Sequence, residues 1–324
     1  MVRDKLNSQL VKRIILLLLA YVIIQLLIAV NIINDYLQAT LVTICINIIL
    51  AVSLNLITGF TGQFSLGHAG FMSIGAYTCA IITMKMPTLG GFVLGVVMGA
   101  IMAAVVGFIV GLPTLRLRGD YLAIATLGMS EIIRIVFTNL DSITNGAAGL
   151  NGIPRFVNWT WLYIFVVGII LLIRNFLKSS HGRACIAIRE DEVAAEAMGI
   201  NTTKYKVLAF IIGAFCAGIG GALYSSYFYY IKPDLFGFLK SVDILVIVVL
   251  GGLGSISGSV LAAILLAVVS TYFQSFPEIR MILYALILII IMIFRPQGLL
   301  GSKEISLSVF NRASKFFAFG KGEK

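Results

Sequence analysis

The sequence has little charge and an excess of apolar residues, which excludes an ordinary soluble enzyme. Charged residues make up 12% of the 324 residues, about half of the roughly 25% that is typical of soluble domains. Hydrophobic residues make up 60%, and the mean hydropathy is +1.03. A soluble fold of this size could not bury so much apolar surface. The remaining solvent is lipid, in which a helix of about 20 apolar residues spans the hydrocarbon core, so the sequence predicts a polytopic membrane protein.

Metal-binding and catalytic patterns are also missing. The cysteines are too far apart for a Cys-x-x-Cys pair, so neither a metal site nor a disulfide framework is expected. No G-x-S-x-G, H-E-x-x-H or G-x-x-x-x-G-K-[ST] sequence occurs, so we expect no catalytic residues and no cofactor on this chain. If ATP and Mg²⁺ drive the protein, another subunit must bind them. The cysteines are Cys45, Cys79, Cys185 and Cys216, and the histidines are His68 and His181.

The basic residues do not form a nucleic-acid surface, although the net charge is +10. They cluster at the ends of apolar runs, as in membrane proteins whose cytoplasmic loops are rich in Lys and Arg. All 6 prolines lie between the runs, which is expected because proline removes a backbone donor that lipid cannot replace. The partner that this pattern implies is the lipid bilayer. The runs predicted to be helices are 14–33, 38–57, 66–84, 92–112, 121–138, 158–177, 207–230, 241–274 and 280–294.

The stretch 241–274 decides the number of membrane segments. It is long for one pass and short for two, and its middle is a glycine-rich break, which is a poor helix interior. If the chain breaks there and returns, the all-α bundle has about ten segments (8–10) and both termini are cytoplasmic. An eight-helix count with a re-entrant element keeps the same orientation. The bundle then comprises residues 14–295, between a cytoplasmic N-terminus at 1–13 and a basic cytoplasmic tail at 296–324. The glycines of the break at 250–258 are Gly251, Gly252, Gly254 and Gly258.

Rows of small residues at four-residue spacing predict close helix packing. Small side chains let helix backbones approach each other, which is how helices associate without a hydrophobic driving force. The rows indicate a compact bundle and nothing about chemistry. One row is Gly95, Gly99, Ala103, Gly107 and Gly111, and another is Gly213, Ala217, Gly221 and Ser225.

A second polar, glycine-rich break lies at 58–70, between two apolar runs. Non-helical backbone at membrane depth is tolerated where it is buried in protein or lines a water-filled cavity. A half-helix that begins at Ser65 would point backbone N–H groups into such a cavity. An ordinary cytoplasmic turn is the alternative, and His68 is predicted to be a hydrogen-bonded packing residue rather than a proton carrier. The candidate residues of a discontinuous helix on the translocation path are Gly62, Gln63, Ser65, Gly67, His68 and Gly70.

Two opposite charges lie three residues apart within the span at 121–138. Glu131 and Arg134 share one helix face at this spacing and can form an ion pair. Charge at membrane depth is expensive and usually faces the interior of the bundle. The pair is either structural or borders the substrate path or a partner subunit.

The largest polar loop runs from Lys178 to Lys206, and its centre predicts a short amphipathic helix at 190–198. Acidic residues at its start suit the helix dipole, and Gly199 is a typical residue to end it. Its apolar side chains share one face, which favours docking on a partner over a solvated connector. That face consists of Val193, Ala194, Ala197 and Met198.

Four ordered motifs resemble the membrane subunit of branched-chain amino-acid ABC importers, in the M-type rather than the H-type form. The resemblance covers roughly residues 40–300. The motifs are GFTGQFSLGHAGFMSIGAY at 59–77, LRLRGDYLAIATLGMSEIIRIV at 115–136, GRACIAIREDEVAAEAMGINTTKYK at 182–206 and LGGLGSISGSVLAA at 250–263.

The resemblance implies a permease of the bacterial plasma (inner) membrane with several partners. These are a homologous H-type permease, two cytoplasmic ATP-binding subunits and an extracytoplasmic amino-acid-binding protein. It also implies that 189–199 is the coupling helix that docks on the ATPase, although Ala195-Glu196-Ala197-Met198 replaces the full E-A-A form of other importers. The residues of that helix are Arg189, Glu190, Asp191, Glu192, Val193, Ala194, Glu196, Ala197, Met198 and Gly199.

The function that this implies is import of leucine, isoleucine and valine by ATP-driven alternating access. The same architecture importing urea, short amides or another small solute is an alternative. An ion-coupled secondary transporter needs a relay of intramembrane carboxylates, and only Glu131 lies well inside a span.

Overall fold

The computed structural model describes residues 2–30 and 32–273, together with the positions 282, 286, 289, 290, 293–295 and 297–301. The predicted last helix at 280–294 and the tail at 296–324 therefore lie largely outside the described residues. Within them the chain is all-α, as predicted, apart from two residue pairs that form a short antiparallel ladder. The α-helices are α1 (Val2–Ala29), α2 (Asp35–Asn55), α3 (His68–Lys85), α4 (Leu89–Thr114), α5 (Asp120–Asn139), α6 (Asp141–Thr144), α7 (Trp159–Lys178), α8 (Ser180–Glu190), α9 (Glu192–Ala197), α10 (Thr202–Phe228), α11 (Phe238–Gly251) and α12 (Ile256–Tyr272), and the strands are β1 (Leu150–Asn151) and β2 (Tyr230–Ile231).

Among the residues that the structure describes, five helical segments are long and apolar enough to cross a membrane. Two shorter apolar helices, Leu17–Ala29 and Ile256–Tyr272, add to them. The number of membrane segments and the side on which each terminus lies stay predictions. The five segments are Asp35–Phe60, Leu89–Thr114, Asp120–Asn139, Trp159–Lys178 and Thr202–Phe228.

Helices α3, α4 and α10 form the centre of the bundle through the predicted rows of small residues. A Cβ atom built at Gly107 on α4 would lie 2.6 Å from the Cβ of Ala214 on α10. One built at Gly99 would lie 2.9 Å from the carbonyl oxygen of Gly75 on α3. The three backbones therefore approach each other closely, because no side chain larger than a methyl group separates them at these positions. Helices α5 and α7 lie outside this centre and have few buried residues.

The two ends of the bundle carry different elements. We call the end with α8 and α9 the loop end, and the end with β1 and β2 the ladder end. The ladder pairs Leu150 with Ile231 and Asn151 with Tyr230. Helix α5 connects the two ends, because it begins near the loop end and is followed by the segment that leads to β1.

Candidate functional site at the two helix breaks

The first helix break lies at the loop end, within the polar, glycine-rich segment 58–70 where the sequence predicted it. Helix α2 continues into a π-helical turn at Leu56–Phe60, and residues 61–67 have no regular secondary structure before α3 begins at His68. The predicted start at Ser65 is three residues too early. The N–H of Leu66 donates instead to the hydroxyl of Thr126 on α5, at 3.1 Å, which holds the segment against α5 rather than in a helix. The break itself is confirmed.

Most of the candidate path residues in this break are buried. Gln63 is 2% exposed, Ser65 1% and His68 0%. His68 Nε2 lies 2.7 Å from the hydroxyl oxygen of Ser53, so this histidine is a hydrogen-bonded packing residue in this conformation. Gly62 is exposed, and so is Phe64, at 38%. The exposed edge of the segment is therefore formed by alternate residues, whereas the other residues pack inward.

The two remaining candidates, Gly67 and Gly70, are contact points with α5. A Cβ atom built at Gly67 would lie 2.6 Å from the carbonyl oxygen of Thr126. One built at Gly70 would lie 2.9 Å from the hydroxyl oxygen of Ser130. Any larger residue at either position would push the start of α3 away from α5.

The second helix break divides the stretch 241–274 where the glycines predicted it. Helix α11 ends at Gly251 and α12 begins at Ile256. Between them, Gly252 and Gly254 have φ angles of 112° and 87°, which residues with a side chain rarely adopt. The side chain of Ser255 caps the new helix by accepting a hydrogen bond from Gly258 N at 3.0 Å.

Asn55, the last residue of α2, joins the two breaks. Its Oδ1 accepts a hydrogen bond from Gly254 N at 2.9 Å. Its Nδ2 donates to the carbonyl oxygen of Ser255 at 2.9 Å and to the hydroxyl of Ser259 at 2.8 Å. The residue is completely buried. A side-chain amide therefore replaces the backbone hydrogen bonds that are lost where the second helix is interrupted.

The predicted single helix at 190–198 is wrong in its boundaries. The chain forms α8 up to Glu190, breaks at Asp191 and then forms α9. The break has a local cause, because the carboxylate of Asp191 accepts hydrogen bonds from Val193 N and Ala194 N, at 2.9 and 3.0 Å. This is an N-cap, which needs an extended backbone at the capping residue. Gly199, with a φ angle of 82°, ends the segment where the sequence predicted.

The apolar face of α9 points away from the bundle. Val193 is 68% exposed and Met198 is 83% exposed, whereas Ala195 on the opposite face is 4% exposed. Ala194 and Ala197 are also exposed. The four residues predicted to share an apolar face thus form an exposed apolar surface at the loop end.

Ionic and polar contacts fix α9 to two neighbouring elements. Lys206 Nζ on α10 lies 2.6 Å from Glu192 Oε1, and Arg118 Nε in the α4–α5 loop lies 3.7 Å from Glu192 Oε2. The hydroxyl of Thr202 donates to Glu196 Oε1 at 2.7 Å. A displacement of α9 is therefore passed to α10 and to the segment before α5.

Arg189 connects the same loop to the first break. Its Nη1 donates to the carbonyl oxygen of Gly59 at 2.9 Å, and its Nε and Nη2 bind the carboxylate of Glu190. Arg189 was predicted only as a member of the coupling segment. Its contact with Gly59 spans 130 residues, and no local pattern in the sequence could have predicted it.

Burial in α8 raises the pKa of the Cys185 thiol to about 11. Because the thiolate is the reactive species, we expect a variant that keeps only Cys185 to react with maleimide about 300-fold more slowly at pH 7.5 than an ordinary thiol of pKa near 8.5. The rate should rise about tenfold per pH unit up to the shifted pKa. A variant with its only cysteine at Met198, which is 83% exposed, is the fast control. Equal rates at the two positions would contradict the burial of Cys185.

Glu131 and Arg134 form the predicted ion pair, and a third charge, Asp234, joins them near the ladder end. Arg134 Nε donates to Glu131 Oε2 at 2.7 Å, and Arg134 Nη1 donates to Asp234 Oδ1 at 3.1 Å. Asp234 belongs to the 3-10 turn Pro233–Phe236 and was not among the predicted residues. Arg134 lies about 20 Å along α5 from Asp120 at 1.5 Å per residue. The predicted pair is thus separate from the two breaks and ties α5 to the loop after β2.

Comparison with known proteins gives a consistent picture. The family described as "Branched-chain amino acid transport system / permease component" matches residues 36–292. The high-affinity branched-chain amino acid transport system permease protein LivM of Escherichia coli is 35% identical, over 83% of this chain and 71% of that protein. The corresponding permease protein LivH of Escherichia coli is 25% identical, over 79% of this chain and 92% of that protein.

Among solved structures, the chain is similar to PsaBC from Streptococcus pneumoniae in complex with Fab, at 15% identity and a TM-score of 0.45, over 83% of this chain and 95% of that chain. The family match spans most of the chain, and the LivM relative is aligned over more than two thirds of its own length. The chain therefore belongs to the family of permease components of branched-chain amino-acid ABC transport systems.

Proposed function

We propose that this chain is a membrane-spanning subunit of an ABC importer and moves leucine, isoleucine and valine by ATP-driven alternating access. It would lie in the bacterial inner membrane with both termini in the cytoplasm. Separate subunits would bind and hydrolyse ATP with Mg²⁺. The observation that carries this proposal is the exposed apolar face of α9, on a loop that contacts the first helix break.

The α9 face suits a protein partner rather than water. Val193 and Met198 are large apolar residues with most of their surface exposed. A helix of this size that carries apolar residues outward gains free energy when a complementary groove covers them. We propose that each of two cytoplasmic ATP-binding subunits supplies such a groove, one for this chain and one for a homologous H-type permease. The relatives named LivM and LivH support a pair of permeases.

The exposed edge of the first break is the part of the chain that we propose lines the translocation path. Gly62 and Phe64 face outward, whereas Gln63 and Ser65 pack inward. We propose that the path passes along this edge between the two permeases, and that an extracytoplasmic binding protein delivers the amino acid at the ladder end. Small apolar zwitterions suit an edge that offers backbone polar groups beside a phenyl ring.

Uptake by proteoliposomes tests the proposal. The vesicles contain this chain, its partner permease, both ATP-binding subunits and the binding protein, and labelled leucine is added outside with ATP inside. We expect uptake that requires ATP and all subunits. Uptake of urea or a sugar in place of leucine would keep the architecture and change the solute. Uptake driven by an ion gradient without the ATP-binding subunits would overturn the proposal.

Charge on the α9 face should release the ATP-binding subunits. Replacing both Val193 and Met198 by glutamate buries two carboxylates in the proposed groove, and each costs several kcal/mol unless it finds a partner. We expect the ATP-binding subunits to co-purify at less than about a tenth of the wild-type amount, because 1.4 kcal/mol already changes an affinity tenfold. The control is Ile143→Glu on α6, an equally apolar residue that is 53% exposed toward the ladder end. Normal co-purification of the double variant would contradict docking at α9.

A further inference from the structure

We infer that Arg189 is the positioning residue through which the α8–α9 loop sets the geometry of both helix breaks. This inference rests on the proposed function, because it assumes that the ATP-binding subunits move the loop. It assigns the connection between the loop and the two breaks to the side chain of Arg189 and to the three glycine positions that it contacts.

The Arg189 side chain lies in a space that two glycines leave open. Its Nη1 binds the carbonyl oxygen of Gly59, which lies in the π-helical turn at the end of α2. A Cβ atom built at Gly254 would lie 2.7 Å from Nη1, and one built at Gly62 would lie 3.1 Å from Arg189 Cγ. Side chains at Gly62 or Gly254 would therefore displace the arginine. Arg189 thus touches two residues of the first break and one residue of the second.

The two breaks are themselves locked to each other beside this arginine. A Cβ atom built at Gly59 would overlap Asn55 Oδ1 and the backbone nitrogen of Gly254. The same Oδ1 accepts the hydrogen bond from Gly254 N. A displacement of Gly59 must therefore move Gly254, because the two backbones and the amide between them are in direct contact. Contiguous packing of this kind is a physical route for coupling between sites.

Arginine is suited to this position by its fork of donors. Nη1 binds Gly59, and Nε and Nη2 bind Glu190, which is the last residue of α8. The planar group can hold both partners only in one orientation. Asp191, the next residue, caps α9. A rotation of α9 about this cap would therefore turn Glu190 and Arg189 together and alter the contact with Gly59.

The test compares Arg189→Ala with Arg183→Ala in the reconstituted importer. Arg183 is a matched control, because it also lies on α8 and its Nη1 donates to a backbone carbonyl, that of Lys178, at 2.8 Å. That contact stays within the loop. We expect Arg189→Ala to lower the number of leucine molecules moved per ATP hydrolysed by about tenfold, the effect of losing a contact worth about 1.4 kcal/mol in one of two states. Arg183→Ala should leave this ratio within about twofold.

Thiol labelling at two positions separates this inference from the proposed function. Single cysteines replace Phe64 on the first break and Met198 at the end of α9, in a background without the four native cysteines. In the otherwise unmodified importer, we expect the ATP-binding subunits to protect position 198 and ATP to change labelling at both positions. In Arg189→Ala, the response at position 198 should persist and the response at position 64 should disappear. An arginine with a merely structural role would not uncouple the two positions.

The other outcomes of these experiments would each overturn either the proposed function or the role of Arg189. Absence of protection at position 198 in the otherwise unmodified importer would overturn docking at α9, and with it the proposed function. A normal response at position 64 in Arg189→Ala would overturn the role of Arg189 alone. If Arg189→Ala does not assemble, Arg189→Lys is measured instead, since lysine keeps one donor but cannot hold Gly59 and Glu190 together. A lysine variant that matches the wild type in both transport ratio and labelling would also overturn it.

Discussion

Valine in place of Gly221 is expected to prevent stable folding of the bundle. Gly221 lies on α10, where a Cβ atom would overlap the carbonyl oxygen of Met72 on α3 and would lie 2.9 Å from Ala76 N. The obstacle is backbone, so no rotamer change can relieve it. Overpacking that side chains can absorb costs about 1–3 kcal/mol, and separating two central helices also removes the contacts on either side. We therefore expect the free energy of unfolding to fall by more than about 3 kcal/mol.

The measurement is the yield of monodisperse protein and its thermal unfolding in detergent. The control is Gly168→Val on α7, where a Cβ atom would meet nothing within 4 Å. Both variants carry the same cost of a β-branched residue in a helix, so the difference between them reports the contact alone. Equal yield and equal Tm for the two variants would contradict the close approach of α3 and α10.

Leucine in place of Asn55 is expected to disconnect the two helix breaks. Leucine has a similar volume but cannot bind Gly254 N, the Ser255 carbonyl or the Ser259 hydroxyl. A buried polar group that loses its partner costs about 1–3 kcal/mol. With at least two such groups affected, we expect a destabilisation of about 3–5 kcal/mol and a loss of ATP-dependent uptake of more than about tenfold.

Thermal unfolding and uptake are measured together on this variant. The control is Asn47→Leu on the same helix, since Asn47 is only partly buried and its Oδ1 accepts one long hydrogen bond, from Lys240 Nζ at 3.3 Å. The free energy of unfolding of that variant should fall by less than about 1.5 kcal/mol. Similar losses in the two variants would show that the amide of Asn55 has no special role at the breaks.

Local patterns predicted much of the fold and several parts of the candidate site. The apolar runs predicted the helices because a span must satisfy its own backbone in lipid. The glycines at 251–258 predicted the second break because glycine is costly inside a helix. The spacing of Glu131 and Arg134 placed the two charges on one helix face, and the apolar residues of 193–198 placed an apolar surface on the loop between α7 and α10.

Other parts of the candidate site could not be predicted, because they depend on which residues meet across the bundle. The burial of His68 follows from its contact with Ser53 on another helix. Helix α3 starts at His68, later than predicted, because the N–H of Leu66 donates its hydrogen bond to the hydroxyl of Thr126 on α5. Neither neighbour is close in sequence to the residue that it affects, so periodicity carried no signal for either.

The sequence by itself determined that this protein suits a lipid environment, and it determined the fold class and the family. Those properties depend on composition, on the period of apolar residues and on ordered motifs, which are all written along the chain. Only the tertiary structure decided that Asn55 and Arg189 join the two helix breaks and that the α9 face points outward. These contacts join residues 130 and more positions apart, and their geometry exists only after the helices have packed, because each uses a space that glycine residues on other segments leave open.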